Sequence, residues 1–320
     1  MIKSTFEKVT SMPADKLHRF IFDNTPIRGN TVQLESTFNL ALQHQDCPPV
    51  LRNALGELMA ASALLAATLK LEDGAIVLQI QGKGPVTLLV VECSASLELR
   101  ATAKWKGELV EDNFIDMVGD GHFVITLDPK NGEQTYQGIV PLEGDTISEI
   151  LQNYMERSEQ IETRIWLACD GNTAGGLLLQ KLPDQADQQA QPYKQAEADP
   201  EAAPEQDTDA WARAGFLAGT VRKEELLGLT AQDLLLRLFN QEDVRLFEPQ
   251  AVKFHCSCSR KSVGSMLKML GVEEVNSIIE EQGKIDVHCD FCNKEYVFDQ
   301  IDAEQLFTSE IVVPGSKAKH

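Results

Sequence analysis

The sequence predicts an α+β protein: an N-terminal mixed domain with largely antiparallel sheets, a helical linker region, and a small C-terminal four-cysteine zinc module. Three observations predict this. Short β-branched or leucine-rich runs, joined by turn signals and grouped between helical stretches, fill the first half of the chain. The composition changes abruptly over residues 183–209. Four cysteines then fall in two close pairs, Cys256 with Cys258 and Cys289 with Cys292.

Residues 1–182 read as one core domain. Helical spacing over residues 51–70 follows the breaker Pro48-Pro49. Residues 75–80 and 86–92 are strand runs, with Gly82-Lys83-Gly84-Pro85 as the turn between them. Further strands are expected over residues 97–105, 123–127 and 135–140. Thr146, with Glu149 three residues on, reads as a capping box that opens a helix with the apolar face Ile147, Ile150, Leu151 and Tyr154. Strands over residues 161–169 and 177–182 close the domain.

Residues 183–209 carry four prolines and eight acidic residues against one lysine, with Tyr193 as the sole large apolar group. Such a segment cannot bury enough surface to offset its ordering entropy, so a disordered acidic linker is expected. Residues 210–250 are apolar again. Thr230 with Asp233 opens a helix through Leu234, Leu235, Leu238 and Phe239, but Gly215, Gly219 and Gly228 interrupt the stretch before it. Each interior glycine costs a helix about 1 kcal/mol relative to alanine. A metastable helical region that needs a neighbour is expected.

The module spans residues 251–300, ahead of a tail at 301–320. Val263, Met266, Leu267 and Leu270 make one helical stripe ended by Gly271, and Val275, Ile278 and Ile279 mark a second helix ended by Gly283. Ile285 with Val287, and Tyr296 with Phe298, alternate as strands of a hairpin with Cys289 and Cys292 at its tip. A strand over residues 252–254 leads to Cys256 and Cys258.

Length and composition narrow the function. The 320 residues suffice for about two domains. A formal charge of −20 argues against nucleic acid or an anionic membrane as partner. The opening MIKSTFEKVTSMPADK lacks a signal-peptide apolar core, and the apolar run at residues 58–69 is too short to cross a bilayer. Seven cysteines, an odd number, do not suit a secreted disulfide scaffold. A reducing cytosol is expected, where clustered thiols bind metal.

Two sulfur pairs brought together by a short fold suit a soft tetrahedral ion, zinc first. A purely structural site is the plain reading. The single-residue spacer of Cys256 and Cys258 adds another, because it places two Cα atoms within disulfide range. Structural zinc contributes about 10–16 kcal/mol to a small module. A disulfide within either pair contributes only about 1.5–2 kcal/mol, and one between the pairs about 4 kcal/mol. Oxidation within the pairs would therefore release the fold, while oxidation between them would keep its ends joined.

Other features weigh less. His255 and His288 each precede a cysteine, but four thiolates already complete a tetrahedron. Arg260 and Lys261 either lower thiolate pKa or simply open a helix. Cys47, Cys93 and Cys169 are scattered and read as small buried residues. The glycines at 82–84, 119–121 and 171–176 lack a strand–loop–helix phosphate context and read as turns. No deaminase motif, Ser/His/Asp set or carboxylate pair stands out, so no catalytic residue is expected.

The two cysteine motifs, thirty residues apart, resemble the 33-kDa heat-shock protein family of redox-switched, zinc-dependent holdase chaperones of the bacterial cytosol. The resemblance covers nearly the whole chain, through GELMAASALLAATLK with LQIQGKGP, YQGIVPLEGDTISEIL, SEQIETRIWL, FHCSCSR and VHCDFC. It implies a reduced, inactive form with one Zn²⁺ on Cys256, Cys258, Cys289 and Cys292. It further implies that oxidant under unfolding conditions forms the Cys256–Cys258 and Cys289–Cys292 disulfides, expels zinc and unfolds the module. Release of residues 211–249 would then expose apolar surface to unfolding client proteins, with homodimerisation and no need of ATP.

Two other classes compete. A constitutive zinc-ribbon adaptor for nucleic acid or a translation factor is weakened by the 17 acidic against 13 basic side chains of residues 210–320. A thiol–disulfide oxidoreductase would place its C-x-x-C at a helix N-terminus rather than in a hairpin.

Overall fold

The computed structural model describes residues 15–69, 73–109, 113–129, 134–183, 207 and 209–308. The chain divides into two compact units, Met1–His255 and Cys256–His320. The first contains β1 (Asp15–Phe22), β2 (Ile27–Leu34), α1 (Ser36–Leu42), α2 (Pro49–Ala66), β3 (Ala75–Gly82), β4 (Val86–Ser94), β5 (Glu98–Trp105), α3 (Phe114–Val118), β6 (Gly121–Asp128), β7 (Tyr136–Pro141), α4 (Ile147–Arg157), β8 (Thr163–Cys169) and β9 (Ala174–Lys181). It continues with α5 (Ala210–Ala218), α6 (Lys223–Gly228), α7 (Ala231–Phe239), β10 (Val244–Leu246) and β11 (Gln250–Phe254).

These strands form one eleven-stranded sheet in the order β7-β6-β3-β4-β5-β11-β1-β2-β9-β8, with β10 against β1. The expected antiparallel pairing holds in every ladder but one. β11 lies parallel to β5, with Lys253 opposite Glu98 and Phe254 opposite Leu99, and antiparallel to β1, with Val252 opposite Asp15. It thereby joins a β3–β7 block to a β1, β2, β8, β9 block.

Strands β3 to β9 and helices α2 and α4 stand where the sequence patterns placed them, and Thr146 accepts the Glu149 amide at the start of α4. Helix α2 buries Leu51, Leu55, Leu58, Met59, Leu64 and Leu65 on several sides, as expected for a core helix rather than an amphipathic surface one. The main core gathers around it, with Phe38, Leu89, Val91, Phe123 and Leu151. The sequence reading missed β1, β2 and α1. In β1 the buried residues Leu17, Phe20 and Phe22 break strict alternation and sit among charged neighbours. Helix α1 has no side-chain cap of its own. Asp15 on β1 supplies one, accepting the amides of Glu35, Ser36 and Thr37 at 3.0, 3.3 and 2.6 Å.

Helices α5 to α7 form a second core with the sheet. Ala214, Ala218, Leu226, Leu234, Leu235, Leu238 and Phe239 pack with Phe20, Phe22, Ile27, Leu177 and Leu179. The Phe22 and Phe239 rings meet edge-on, 4.9 Å apart. Thr230 caps α7 by accepting the Asp233 amide, as its spacing predicted. Gln33 on β2 donates to the carbonyls of Leu226 and Leu229 at 3.0 and 2.6 Å, which satisfies the end of α6 from the sheet. A Cβ on Gly175 would come within 2.6 Å of the Leu226 carbonyl oxygen, so a side chain there would push α6 off the strand. The three short helices thus pack on the sheet beneath them, which also closes the end of α6. The acidic segment expected over 183–209 falls almost wholly outside the described residues.

The second unit contains α8 (Arg260–Leu270), α9 (Val272–Gln282), β12 (Ile285–His288), β13 (Glu295–Phe298) and α10 (Gln300–Thr308). The expected hairpin is present, with Ile285 opposite Phe298 and His288 opposite Glu295. Gly283 ends α9 in the left-handed conformation, φ 78°. Leu267, Val275, Ile279, Ile285, Tyr296, Phe298 and Ala303 make the core. Three expectations change. The α8 stripe is only partly used, since Leu267 is buried but Met266 and Leu270 are exposed. The tail begins later than residue 301, because Ala303 and Leu306 of α10 close the core. Likewise β11, expected to open the cysteine module, belongs to the large sheet.

Candidate metal centre

Each cysteine pair is held by a tight local structure. Cys256 and Cys258 lie on the segment leading into α8, whose N-cap Ser259 accepts the Ser262 amide at 3.1 Å. Cys289 and Cys292 lie in the β12–β13 turn. There the Cys289 amide donates to the Lys294 carbonyl at 3.0 Å and the Asn293 amide to the Cys289 carbonyl at 2.8 Å. Asn293 takes a positive φ of 56°, which asparagine tolerates better than most residues.

The four sulfurs all lie within 4.8 Å of one another and are partly buried free thiols. The Sγ atoms of Cys256 and Cys289 are 3.7 Å apart, and those of Cys258 and Cys292 are 3.4 Å apart. A tetrahedral ion with sulfur at about 2.3 Å requires S···S edges of about 3.8 Å. Four sulfurs at this spacing are a donor set that suits a soft tetrahedral cation. Among the described residues this is the one group of three or more metal-ligating side chains with such geometry.

The neighbours are partly those expected. His255 and His288 are exposed and outside the group. Arg260 is not turned on the thiols. Its guanidinium donates to the Val297 carbonyl at 2.7 Å, pairs with Asp302 at 2.7 Å, and lies 4.2 Å over the Phe298 ring. It ties α8 to β13 and α10, so its role is to hold the fold. Lys261 is exposed. The sequence reading missed Tyr296, whose hydroxyl donates to Cys258 Sγ at 3.1 Å. The available signal was an inward-facing aromatic on the strand just after the C-x-x-C turn.

Electrostatics distinguish the sulfurs. Burial pushes the Cys256 thiol up and the Cys292 thiol up to about 12. Burial also acts on Cys258, but donation from Tyr296 and the three neighbouring sulfurs outweighs it and brings that thiol down to about 7. The remaining cysteines are different in kind. Burial pushes Cys47 and Cys169 up to about 11 and Cys93 higher still. They are scattered through the first unit as inert apolar groups, as expected. The glycine-rich stretches at 82–84 and 171–176 are strand turns or strand residues in the structure, and Gly119 ends α3 just before β6.

Comparison with known proteins identifies the family. The family model described as "Hsp33 protein" matches residues 15–299. The 33 kDa chaperonin of Methylobacillus flagellatus is 62% identical over 307 residues, covering 96% of this chain and 99% of the relative. That of Chromobacterium violaceum is 45% identical, covering 96% and 98%. The crystal structure of the 33 kDa chaperonin from Thermotoga maritima superposes with a TM-score of 0.75 at 20% identity, over 92% of this chain and 99% of that one, and shows the same fold.

Proposed function

The chain belongs to the Hsp33 family of chaperones, and on that premise we propose that it is a redox-regulated, ATP-independent holdase of the cytoplasm, switched at Cys256, Cys258, Cys289 and Cys292. The observation that carries this is the cluster of four sulfurs within 4.8 Å, set in a unit whose own core is seven buried residues. Bound zinc would supply a staple across both turns. The chain's part is to present four thiolates at tetrahedral spacing on two turns that hold nothing else together.

In this reading, a peroxide oxidises the two thiolates within each pair. One S–S bond forms, the peroxide O–O bond breaks, and two protons from solvent complete two waters. The Cys256–Cys258 and Cys289–Cys292 bonds then close loops worth only about 1.5–2 kcal/mol each, far below the contribution of the lost metal. All four sulfurs lie within 4.8 Å of one another, so proximity allows pairing within the motifs as well as across them, and only pairing within them releases the unit. A cross-motif bond would leave the unit closed. Unfolding that spreads to α5–α7 would uncover Phe20, Phe22, Leu177 and Leu179 for unfolding client proteins, and the same surface offers a site for homodimerisation. The charge of −20 gives no support to nucleic acid or an anionic membrane as partner, and no described helix is long and apolar enough to cross a bilayer. Nor does any observation favour a constitutive zinc-ribbon adaptor, since the relatives are named chaperonins.

The test is disulfide mapping of the peroxide-treated, warmed protein, with released zinc and suppression of client aggregation measured in parallel. Intra-motif disulfides, zinc release and gained activity should appear together. Retained zinc, cross-motif disulfides, or equal activity in the reduced protein would overturn the proposal.

A further inference from the structure

Tyr296 stands on β13 opposite Val287 of β12. Its side chain is 5% exposed and its ring belongs to the small core with Leu267, Val275 and Phe298. The Lys294 ammonium lies 5.4 Å from the ring centre. Phenylalanine would fill this space equally well, so the hydroxyl must be explained separately. A buried phenol needs an acceptor, and the one it meets is a sulfur, Cys258 Sγ at 3.1 Å. The other described tyrosines, Tyr136 and Tyr154, turn their hydroxyls to the Glu159 carboxylate instead.

We infer that Tyr296 is a positioning residue of the cysteine cluster, its hydroxyl fixed as a hydrogen-bond donor to Cys258 Sγ so that this sulfur is held in place for a bound soft metal ion. The inference rests on the metal-binding reading above. Its physical basis is charge. Four thiolates around one dication leave two net negative charges in a partly buried site. An O–H donor directed at one sulfur withdraws part of that charge, lowers the repulsion among the four, and favours the assembled cluster. The donor is rigid because its ring is clamped in the core, while Cys258 lies on the segment before α8, outside any helix or strand. Cys258 also approaches Cys292 at 3.4 Å, so a donor that orients Cys258 orients a contact between the two motifs. Outer groups of this type change metal affinity by about 10–100-fold when removed.

The experiment uses the full chain loaded with cobalt(II), whose sulfur-to-metal charge-transfer band reports electron density on the thiolates, and with zinc in competition against a chelator. Tyr296→Phe keeps the ring and loses the donor. Zinc affinity should fall by about 10–100-fold, and the cobalt band should move to longer wavelength. Should that variant fail to fold, 3-fluorotyrosine inserted at position 296 keeps ring and hydroxyl but strengthens the donor, and should move the band the other way. A packing role alone would change affinity and leave the band still. A wild-type cobalt spectrum that neither substitution moves overturns the Tyr296 assignment. A wild-type chain that gives no tetrahedral thiolate–cobalt spectrum overturns the metal-site reading beneath it.

Discussion

The Asp15 carboxylate accepts the Thr37 amide at 2.6 Å, and the Thr37 hydroxyl donates in turn to the Val252 carbonyl at 3.2 Å. The start of β1, the start of α1 and strand β11 are therefore fastened at one buried point. Asp15→Ala leaves three amides without their acceptor and should lower the stability of the first unit by about 1–3 kcal/mol. Trp105, Trp166 and Trp211 all lie in that unit, so urea unfolding followed by tryptophan fluorescence reads the loss. Asp15→Asn, which keeps one acceptor oxygen, should fall between. An unchanged midpoint for Asp15→Ala would count against the cap.

Phe239 is 2% exposed and meets Phe22 edge-on. Truncation to alanine should cost about 3–5 kcal/mol at that contact. Helices α5–α7 rest on the sheet through such contacts, so the cost should appear as their detachment. The reduced Phe239→Ala protein is expected to bind a hydrophobic dye, to be cut by protease within residues 210–250, and to suppress aggregation without oxidant. Dye binding equal to wild type would show that the helices stay docked.

Seven buried residues are a small core for the second unit, below the size at which a domain usually stands without a staple. Removing metal with a strong chelator should abolish the helical circular dichroism of α8–α10 while tryptophan fluorescence stays native. Persistence of that helical signal after complete metal removal would show that the hydrophobic core suffices.

Cys47 and Cys169, pushed up to about 11 by burial, and Cys93, pushed higher, remain thiols at neutral pH. The thiolate is the reactive form, so their alkylation should be slow near pH 8 and rise only as pH approaches about 11. With chelator present, brief iodoacetamide treatment should label the four clustered cysteines and spare these three, as read by peptide mass spectrometry. Early labelling of Cys47 or Cys169 would show that the first unit opens on the same timescale.

The candidate site was legible because its signal is local: two close sulfur pairs need only a hairpin and a helix start to define them. The strands of β3–β9 were legible for a similar reason, being runs bounded by their own turns. What escaped depends on distant partners. β11 reads as part of the module it precedes, yet its hydrogen-bond partners β1 and β5 come from the far end of the first unit. Helix α1 takes its cap from another strand, so no capping residue marks it. Arg260 has the same sequence neighbours whether it serves a thiolate or a fold, and only the approach of Val297, Phe298 and Asp302 distinguishes the two.

The placement of β11 also has a mechanical consequence. The chain leaves this strand at Phe254, and Cys256 follows two residues later. The strand is held along both edges, by three residue pairs to β1 and two to β5. The second unit can lose its structure while these rungs hold, so the release of α5–α7, which rest on the sheet through separate contacts, is a second step that needs unfolding conditions of its own.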